Sequence, residues 1–196
     1  MTFFRATLVS VLLGSAAFAQ NNASFVRANS FEVGGFVGAS HGLDRYQVMG
    51  GGNVTYAVNK YILPYTEFTY FPGIRQRTVS DGGTFNYKRN LTDLHGGVHL
   101  RMPIFRESPI VPYAAFGVGL LHSGVPTATF TPTNGTTRDL NNQTSATSLA
   151  LNGGGGLRFY LGQRFGLRTE AKVYRGTGDL STTFYKIEFG VFFQIR

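Results

Sequence analysis

Charged side chains recur at every second position in two apolar stretches near the end of the chain. In residues 165–175, Arg168, Glu170 and Lys172 alternate with small or apolar residues, and residues 184–196 repeat the pattern with Lys186 and Glu188. Successive side chains of an extended backbone point to opposite faces, so in each strand the charges lie on one face. A charged face of this kind favours either ion pairing or a polar channel.

Acids and bases are equal in number on this face when the same alternation is followed through the whole chain. The acids are Glu32, Glu67, Asp93, Glu170 and Glu188, and the bases are Arg101, Arg158, Arg168, Lys172 and Lys186. An unpaired buried charge is costly, and pairing offsets much of that cost. If the face is buried, the balance therefore predicts a neutral ion-pair network. A charge-lined pore is the alternative.

Residues that could do catalysis or bind a metal lack partners at a workable spacing. His95 and His99 have the spacing of a metal-binding pair on a helix, but on a strand they lie about 13 Å apart. His122 precedes Ser123, yet adjacent strand residues face opposite ways, and no acid is placed to orient the histidine. Cysteine is absent, which excludes thiolate chemistry and disulfides. We therefore expect no enzymatic activity, no metal ion and no cofactor.

The elements that must position these charges are strand-length segments with alternating polarity. They are predicted at residues 31–39, 46–57, 61–71, 91–102, 110–122, 148–161, 165–175 and 184–196. Short turns at 58–60, 103–109 and 162–164 alternate with loops at 40–45, 72–90, 123–147 and 176–183. Short turns at one end and longer loops at the other are typical of transmembrane barrels. The predicted fold is all-β, an eight-stranded antiparallel up-and-down transmembrane β-barrel.

Glycines indicate which face of the barrel is the inner one. Many of them share the polar parity: Gly34, Gly38, Gly97, Gly117, Gly119, Gly154, Gly156, Gly166 and Gly190. On a solvated outer face they would only weaken the strands, whereas in a narrow lumen they leave room for long charged side chains. The polar face is therefore predicted to line the lumen, and the apolar face to meet lipid.

The N-terminus has the pattern of an export signal. Arg5 ends a short basic head, residues 6–18 are apolar and small, and residues 17–19 form a small-x-small cleavage site. The predicted organisation is a signal peptide at 1–19, a flexible segment at 20–30 and an outer-membrane barrel domain at 31–196. No later stretch has the roughly 18 continuous apolar residues of a transmembrane helix.

Two further stretches and the last strand carry a family resemblance. Residues 112–119 read Pro-Tyr-Ala-Ala-Phe-Gly-Val-Gly, and residues 154–161 read Gly-Gly-Gly-Leu-Arg-Phe-Tyr-Leu. They resemble the small eight-stranded barrels of the OmpA/OmpX type, in the outer membrane protein β-barrel domain family. The resemblance implies a Gram-negative outer-membrane location and insertion by the barrel-insertion machinery. One departure is the end of the chain, because such barrels end on an aromatic residue and this chain ends on Arg196.

A basic segment gives the only hint of a ligand. The chain carries a formal net charge of +8, and the predicted loop 72–90 contains Arg75, Arg77, Lys88 and Arg89. Aromatic residues interleave with these bases, namely Tyr70, Phe71, Phe85 and Tyr87. Rings of this type settle at the membrane interface, and clustered bases suit the phosphates of outer-leaflet lipopolysaccharide. The alternative is a merely solvated loop, and export makes nucleic acid an unsuitable partner.

The sequence thus predicts a monomeric, non-enzymatic barrel with a filled, charge-paired lumen. Its expected role is envelope integrity, adhesion or surface interaction through the extracellular loops. The expected partners are outer-membrane lipid, lipopolysaccharide and, during biogenesis, the barrel-insertion machinery. A small porin-like transport conduit and a lipid-modifying outer-membrane enzyme are the alternatives.

Overall fold

The structure, a computed structural model, describes residues 25–43, 46–104, 108–140 and 145–195. Its strands are β1 (Ser30–His41), β2 (Gln47–Ala57), β3 (Ile62–Ser80), β4 (Gly83–Arg101), β5 (Ile110–Pro132), β6 (Arg138–Leu140), β7 (Ser145–Tyr160), β8 (Phe165–Gly176) and β9 (Thr183–Ile195). A 3₁₀ turn at Gly178–Leu180 precedes β9. Within the described residues, no helix has the length and apolarity to cross a membrane. The predicted signal peptide lies outside the described residues.

The strands close into a barrel in which neighbours are antiparallel. Consecutive strands pair from β1 through to β5. Strand β5 then pairs with β7, β7 with β8, and β8 with β9. Pairing of β1 with β9 closes the ring, and β6 attaches to the upper part of β5. The barrel strands are therefore β1–β5 and β7–β9. This architecture confirms the predicted eight-stranded up-and-down barrel.

The two faces of the strands differ in polarity as the alternation requires. Large apolar side chains cover the outside, and Val37, Phe68, Leu151 and Phe189 are about half exposed or more. The charged residues of the same strands point inward and are buried. The start of β1 and the end of β9 lie at the same end of the barrel as the turns that follow β2, β4 and β7. In barrels of this kind, that end faces the periplasm.

Two segments predicted as long loops, 72–90 and 123–147, are largely strand instead. β3, β4 and β5 contain 19, 19 and 23 residues, whereas about 9–11 residues cross a membrane. Their upper parts pair with each other, for example Arg77 with Asn86 and Asn86 with Thr129. Both faces of these segments meet water, so neither face has to be apolar. The alternation of polar and apolar residues that predicts a membrane strand is therefore absent from them. Their threonines and aromatics nevertheless have high strand propensity.

The upper parts of these strands form a four-stranded sheet above the membrane, which we call the outer sheet. It consists of residues 74–80, 83–89, 127–132 and 138–140. Two register shifts mark its junction with the barrel. One lies in β3 between Phe71 and Ile74, and the other lies in β5, opposite the Lys88–Asn90 segment of β4. Such bulges bend a strand and increase its twist.

Glycines on the lumen side are required by close approach of the neighbouring backbone as well as by side-chain volume. A Cβ at Gly156 would lie 1.9 Å from the carbonyl oxygen of Thr169, and one at Gly154 would lie 2.0 Å from that of Ala171. At Gly166 the ring of Phe192 fills the space instead, at 2.3 Å. The strands therefore coil tightly around a narrow lumen.

Apolar clusters occupy both ends of the lumen. The extracellular cluster comprises Leu43, Met49, Phe71, Leu91, Leu121, Ala150, Tyr174 and Phe184. The periplasmic cluster comprises Phe25, Val111, Tyr160 and Phe192. Phe25 belongs to the segment predicted as flexible, and here residues 25–29 pack against the periplasmic mouth of the barrel. The flexibility of residues 20–24 stays a prediction.

Candidate functional site

The middle of the lumen holds a dense group of charges centred on two lysines. Lys172 Nζ lies 2.5 Å from Glu170 Oε1 and 2.7 Å from Glu67 Oε1. Lys186 Nζ lies 3.0 Å from Glu188 Oε1 and 3.1 Å from Glu67 Oε1. Glu67 therefore bridges two ammonium groups that come from different strands.

Further partners complete this group at its upper and lower sides. Lys186 also lies 3.4 Å from Asp93 and donates hydrogen bonds to Thr69 and Tyr174. Asp93 in turn contacts His95. Arg168 lies 3.4 Å from Glu188 and 3.5 Å from Glu67. Each charged group consequently meets an opposite charge, which the cost of burial demands.

Three of these carboxylates, Glu67, Glu170 and Glu188, are close enough together to hold a metal ion. Lys172 Nζ lies within 4 Å of all three, the longest separation being 3.8 Å to Glu188. The lysine ammonium thus supplies the positive charge that a cation would bring. The position between the three carboxylates is therefore occupied by the chain's own ammonium group.

A second group of charges lies near the periplasmic end. Glu32 contacts Arg158, lies 3.4 Å from Arg101 Nη1, and accepts a hydrogen bond from Gln194 at 3.1 Å. His99 connects the two groups, with Nδ1 at 3.1 Å from Arg158 and Nε2 at 3.4 Å from Glu170. All ten predicted lumen residues are therefore brought together in one connected column.

The histidines that are candidates for metal ligands or catalytic groups lie in separate surroundings. His95 and His99 contact different carboxylates, Asp93 and Glu170, so they do not share a ligand position. His122 bonds Thr147 Oγ1 at 2.8 Å on the exposed side of its strand, whereas Ser123 is buried on the lumen side. Histidine and serine are separated by the strand itself.

The four predicted surface bases divide between the two faces of the outer sheet. The backbone register places Arg75 opposite Lys88, and Arg77 opposite Asn86. Arg89 pairs with Ile74 and therefore belongs to the other face. Arg77 and Lys88 are exposed, and Arg89 is half-buried. By register, three bases are thus on one face and Arg89 is on the other, while all four belong to the same hairpin. Anion contact by these bases stays a prediction.

Phe71 and Phe85 lie away from those three bases, whereas Tyr70 lies on the same outward side as they do. Phe85 is on the face opposite Lys88 and packs at a tilt against Phe130, with 4.4 Å between ring centroids. Phe71 is buried in the extracellular cluster, and Tyr70 is exposed on the outside of the barrel. These three aromatic residues divide between the two faces because adjacent strand residues face opposite ways. The aromatic belt stays a prediction.

Strand β4 shows which way each face of the outer sheet looks. Its lumen residues Asp93 and Leu91 have the same parity as Arg89, and its lipid-facing Leu94 has the same parity as Lys88. The extra residues of both bulges belong to β3 and β5, so the alternation of β4 runs on unbroken. The three-base face is therefore continuous with the lipid-facing side of the barrel.

Several solved outer-membrane barrels have similar folds. The N-terminal β-barrel domain of OprF from Pseudomonas aeruginosa is 19% identical, with a TM-score of 0.54, covering 86% of this chain and 98% of that one. Neisserial surface protein A is 11% identical, with a TM-score of 0.60, covering 85% and 96%. Ail of Yersinia pestis, solved with the heparin analogue sucrose octasulfate, is 15% identical, with a TM-score of 0.50, covering 85% and 97%.

A comparison with curated protein sequences finds no match. The family model described as outer membrane protein beta-barrel domain matches residues 6–193, which include all the barrel strands nearly to their end. Together with the closed barrel, its apolar outside and its charged lumen, this match locates the protein in the outer membrane. The chain belongs to the outer membrane protein β-barrel domain family.

Proposed function

We propose that this protein is a monomeric, non-enzymatic barrel that holds outer-leaflet anions, above all the phosphates of lipopolysaccharide, on the outward face of its outer sheet. The observation that carries the proposal is the register of Arg75, Arg77 and Lys88, which puts them on one face that continues the lipid-facing surface. Such a role is one of envelope integrity and surface interaction.

The height of these bases suits an anionic headgroup layer. Lys88 is six residues beyond Leu94, the last large apolar residue on the outside of β4. With a strand tilt of about 45°, this corresponds to a rise of roughly 14 Å above the apolar band. Thr92 and Asn90 fill the interval with polar side chains. Each base near an anionic surface contributes about 1 kcal/mol.

The lumen supports a structural role over a transport role. Its ten charged residues are buried, and apolar clusters occupy the space above and below them. A barrel of eight strands is just wide enough for side chains to fill it. A filled lumen leaves the outer sheet, rather than a channel, as the functional surface. Insertion of this barrel would use the last strand, β9, as the segment that the insertion machinery binds.

A barrel of the same fold provides a precedent for polyanion binding. Ail was solved with sucrose octasulfate, a heparin analogue. A polyanion site is therefore compatible with this fold, although the low identity carries no residue across.

The test compares two double substitutions that remove equal charge from opposite faces. Arg77→Ser with Lys88→Ser removes two bases from the outward face, and Arg89→Ser with Arg138→Ser removes two from the other face. We expect the first variant to lose most lipopolysaccharide co-purification and most of the salt-dependent heparin retention. The second should keep both. Equal losses in the two variants would mean that only net charge matters, and no loss in either would refute the site.

A further inference from the structure

We propose that the periplasmic mouth of the lumen is a binding site for an extended peptide with an aromatic anchor, and that its ligand is the chain's own segment 25–29. We call this segment the N-terminal plug. Bound in this way, it closes the lumen from the periplasmic side.

The aromatic anchor of the plug is Phe25. Its ring stacks on Tyr160 at 6.5 Å between centroids, and Tyr160 meets Phe192 edge-on at 5.3 Å. Val111 completes the cluster, and Phe25 is only 9% exposed. Phe192 is on β9, the neighbour of β1, whereas Tyr160 and Val111 are on β7 and β5, three and four strands away around the ring. The anchor therefore reaches across the mouth of the barrel.

Polar contacts fix the backbone that follows the anchor. Arg101 Nη2 donates to the carbonyl oxygens of Arg27 at 3.1 Å and Asn59 at 3.0 Å. Arg27 donates to Gln163 at 2.6 Å, in the turn between β7 and β8. Asn29 N donates to Ala57 O at 2.6 Å. The plug thus contacts the end of β2, the end of β4 and the turn between β7 and β8, in addition to the cluster.

The backbone turns sharply where the plug meets β1. Asn29 has φ of 52°, in the left-handed region that asparagine adopts far more readily than a β-branched residue. This turn directs residues 25–28 back under the barrel instead of away from it. The turn at Asn29 and the burial of Phe25 are therefore both consistent with a plug that is bound under the barrel mouth.

The absence of native cysteine allows a direct test by single-cysteine labelling. Val111→Cys reports on the periplasmic mouth and is called the mouth sensor, and Met49→Cys reports on the extracellular cluster and is called the outer sensor. Both positions are 1% exposed. Each sensor is treated with a membrane-impermeant maleimide in outer-membrane fragments of the full-length protein. The plug is then disturbed by Phe25→Ala or, without touching the cluster, by Asn29→Val.

We expect both plug substitutions to speed labelling of the mouth sensor by about tenfold or more, because loss of a buried anchor raises local opening. Labelling of the outer sensor should not change, and Phe31→Ala on the lipid-facing side of β1 should affect neither sensor. The proposal is overturned if the mouth sensor reacts as fast with the parent plug as with the altered plugs, or stays protected with all of them. It is also overturned if both sensors respond equally, since that result indicates general unfolding.

Discussion

Glu67 illustrates how the lumen satisfies its charges one side chain at a time. It contacts Lys172, Lys186 and Arg168, each from the opposite side of the barrel, and it is 1% exposed. Removing one member of such a group leaves its partners buried without a counter-charge. That loss generally costs more than the intact pair contributes.

Glu67→Gln should therefore lower the free energy of unfolding by about 3–5 kcal/mol, and Glu170→Ala or Glu188→Ala should have effects of the same size. Urea unfolding in lipid vesicles measures the change. Thr66→Ala and Thr169→Ala, on the outer side of β3 and β8, should change the free energy of unfolding by less than about 0.5 kcal/mol. Equal, small effects at all five positions would contradict the buried network.

The charge balance can be tested with a compensating pair. Lys172→Met alone leaves Glu170 and Glu67 with one base fewer, so it should destabilise as Glu67→Gln does. Combining Lys172→Met with Glu67→Gln removes one charge of each sign. We expect the double variant to lose less stability than the sum of the single losses by about 0.5–3 kcal/mol, measured as a double-mutant cycle. Strict additivity would show that the two side chains do not interact.

At the scale of strands, tight coiling makes the lumen glycines indispensable where a backbone approaches. Gly156→Ala should destabilise the barrel by about 3 kcal/mol, the upper end of the usual cost of overpacking, because the new Cβ meets a carbonyl oxygen. Gly153→Ala is the matched control on the same strand, where a Cβ would meet only the ring of Phe116 at 3.7 Å. The midpoint of urea unfolding separates them, and a similar midpoint for both would contradict the close approach.

The outer sheet should melt independently of the barrel. Thr129 pairs with both β4 and β6, so Thr129→Pro removes a donor from the middle of the sheet. Trypsin should then cleave at Arg77, Lys88 or Arg138 about tenfold faster, because a locally opened sheet exposes its backbone, while the barrel keeps its folded mobility on a denaturing gel. Thr129→Ser keeps the donor and should remain as resistant as the parent. Loss of the folded band in the proline variant would mean that the two parts unfold together.

Strand positions and faces could be predicted from the sequence, whereas the outer sheet and the ion-pair partners could not. Period-2 alternation is imposed by lipid outside and charge inside, so the prediction for β8 agrees with the structure to within one residue at either end. Residues 83–89 and 127–132 lie in water, where no such contrast exists. Partners such as Lys172 and Glu67 are 105 residues apart, and they meet only because of how the ring closes.

Matching opposite charges across neighbouring strands would even give the wrong register. Glu170 lies directly opposite Glu188, and Lys172 directly opposite Lys186. Like charges in these positions repel, so a search for favourable cross-strand pairs would reject the true alignment. The repulsion is offset by Glu67 and Asp93 from across the lumen and by Arg168 from β8 itself.

As a whole molecule, the protein should be an exported, closed and non-conducting barrel. We expect the mature chain to begin at Gln20, as read by mass spectrometry of the native protein, because residues 17–19 form a cleavage site. Unboiled and boiled samples should migrate differently on a denaturing gel. A mature protein that retains Met1 would contradict the predicted signal peptide.

The same closed lumen predicts no steady conductance in planar bilayers. Buried ion pairs occupy the middle of the lumen and apolar clusters occupy both ends, and side chains that fill the lumen obstruct the passage of ions. Stable open channels in the purified parent would favour the conduit instead. The measurement requires protein that shows the folded band on the gel, so that channels from misfolded material are not counted.

The pocket that holds Phe25 also constrains the order of assembly. Its walls come from β5, β7 and β9, and β9 is the strand that closes the ring on β1. The first residues of the described chain can therefore reach their final position only after the last strand has joined the first. Burial of Phe25 is in this sense a late event, and a probe at that position would follow the completion of assembly in real time.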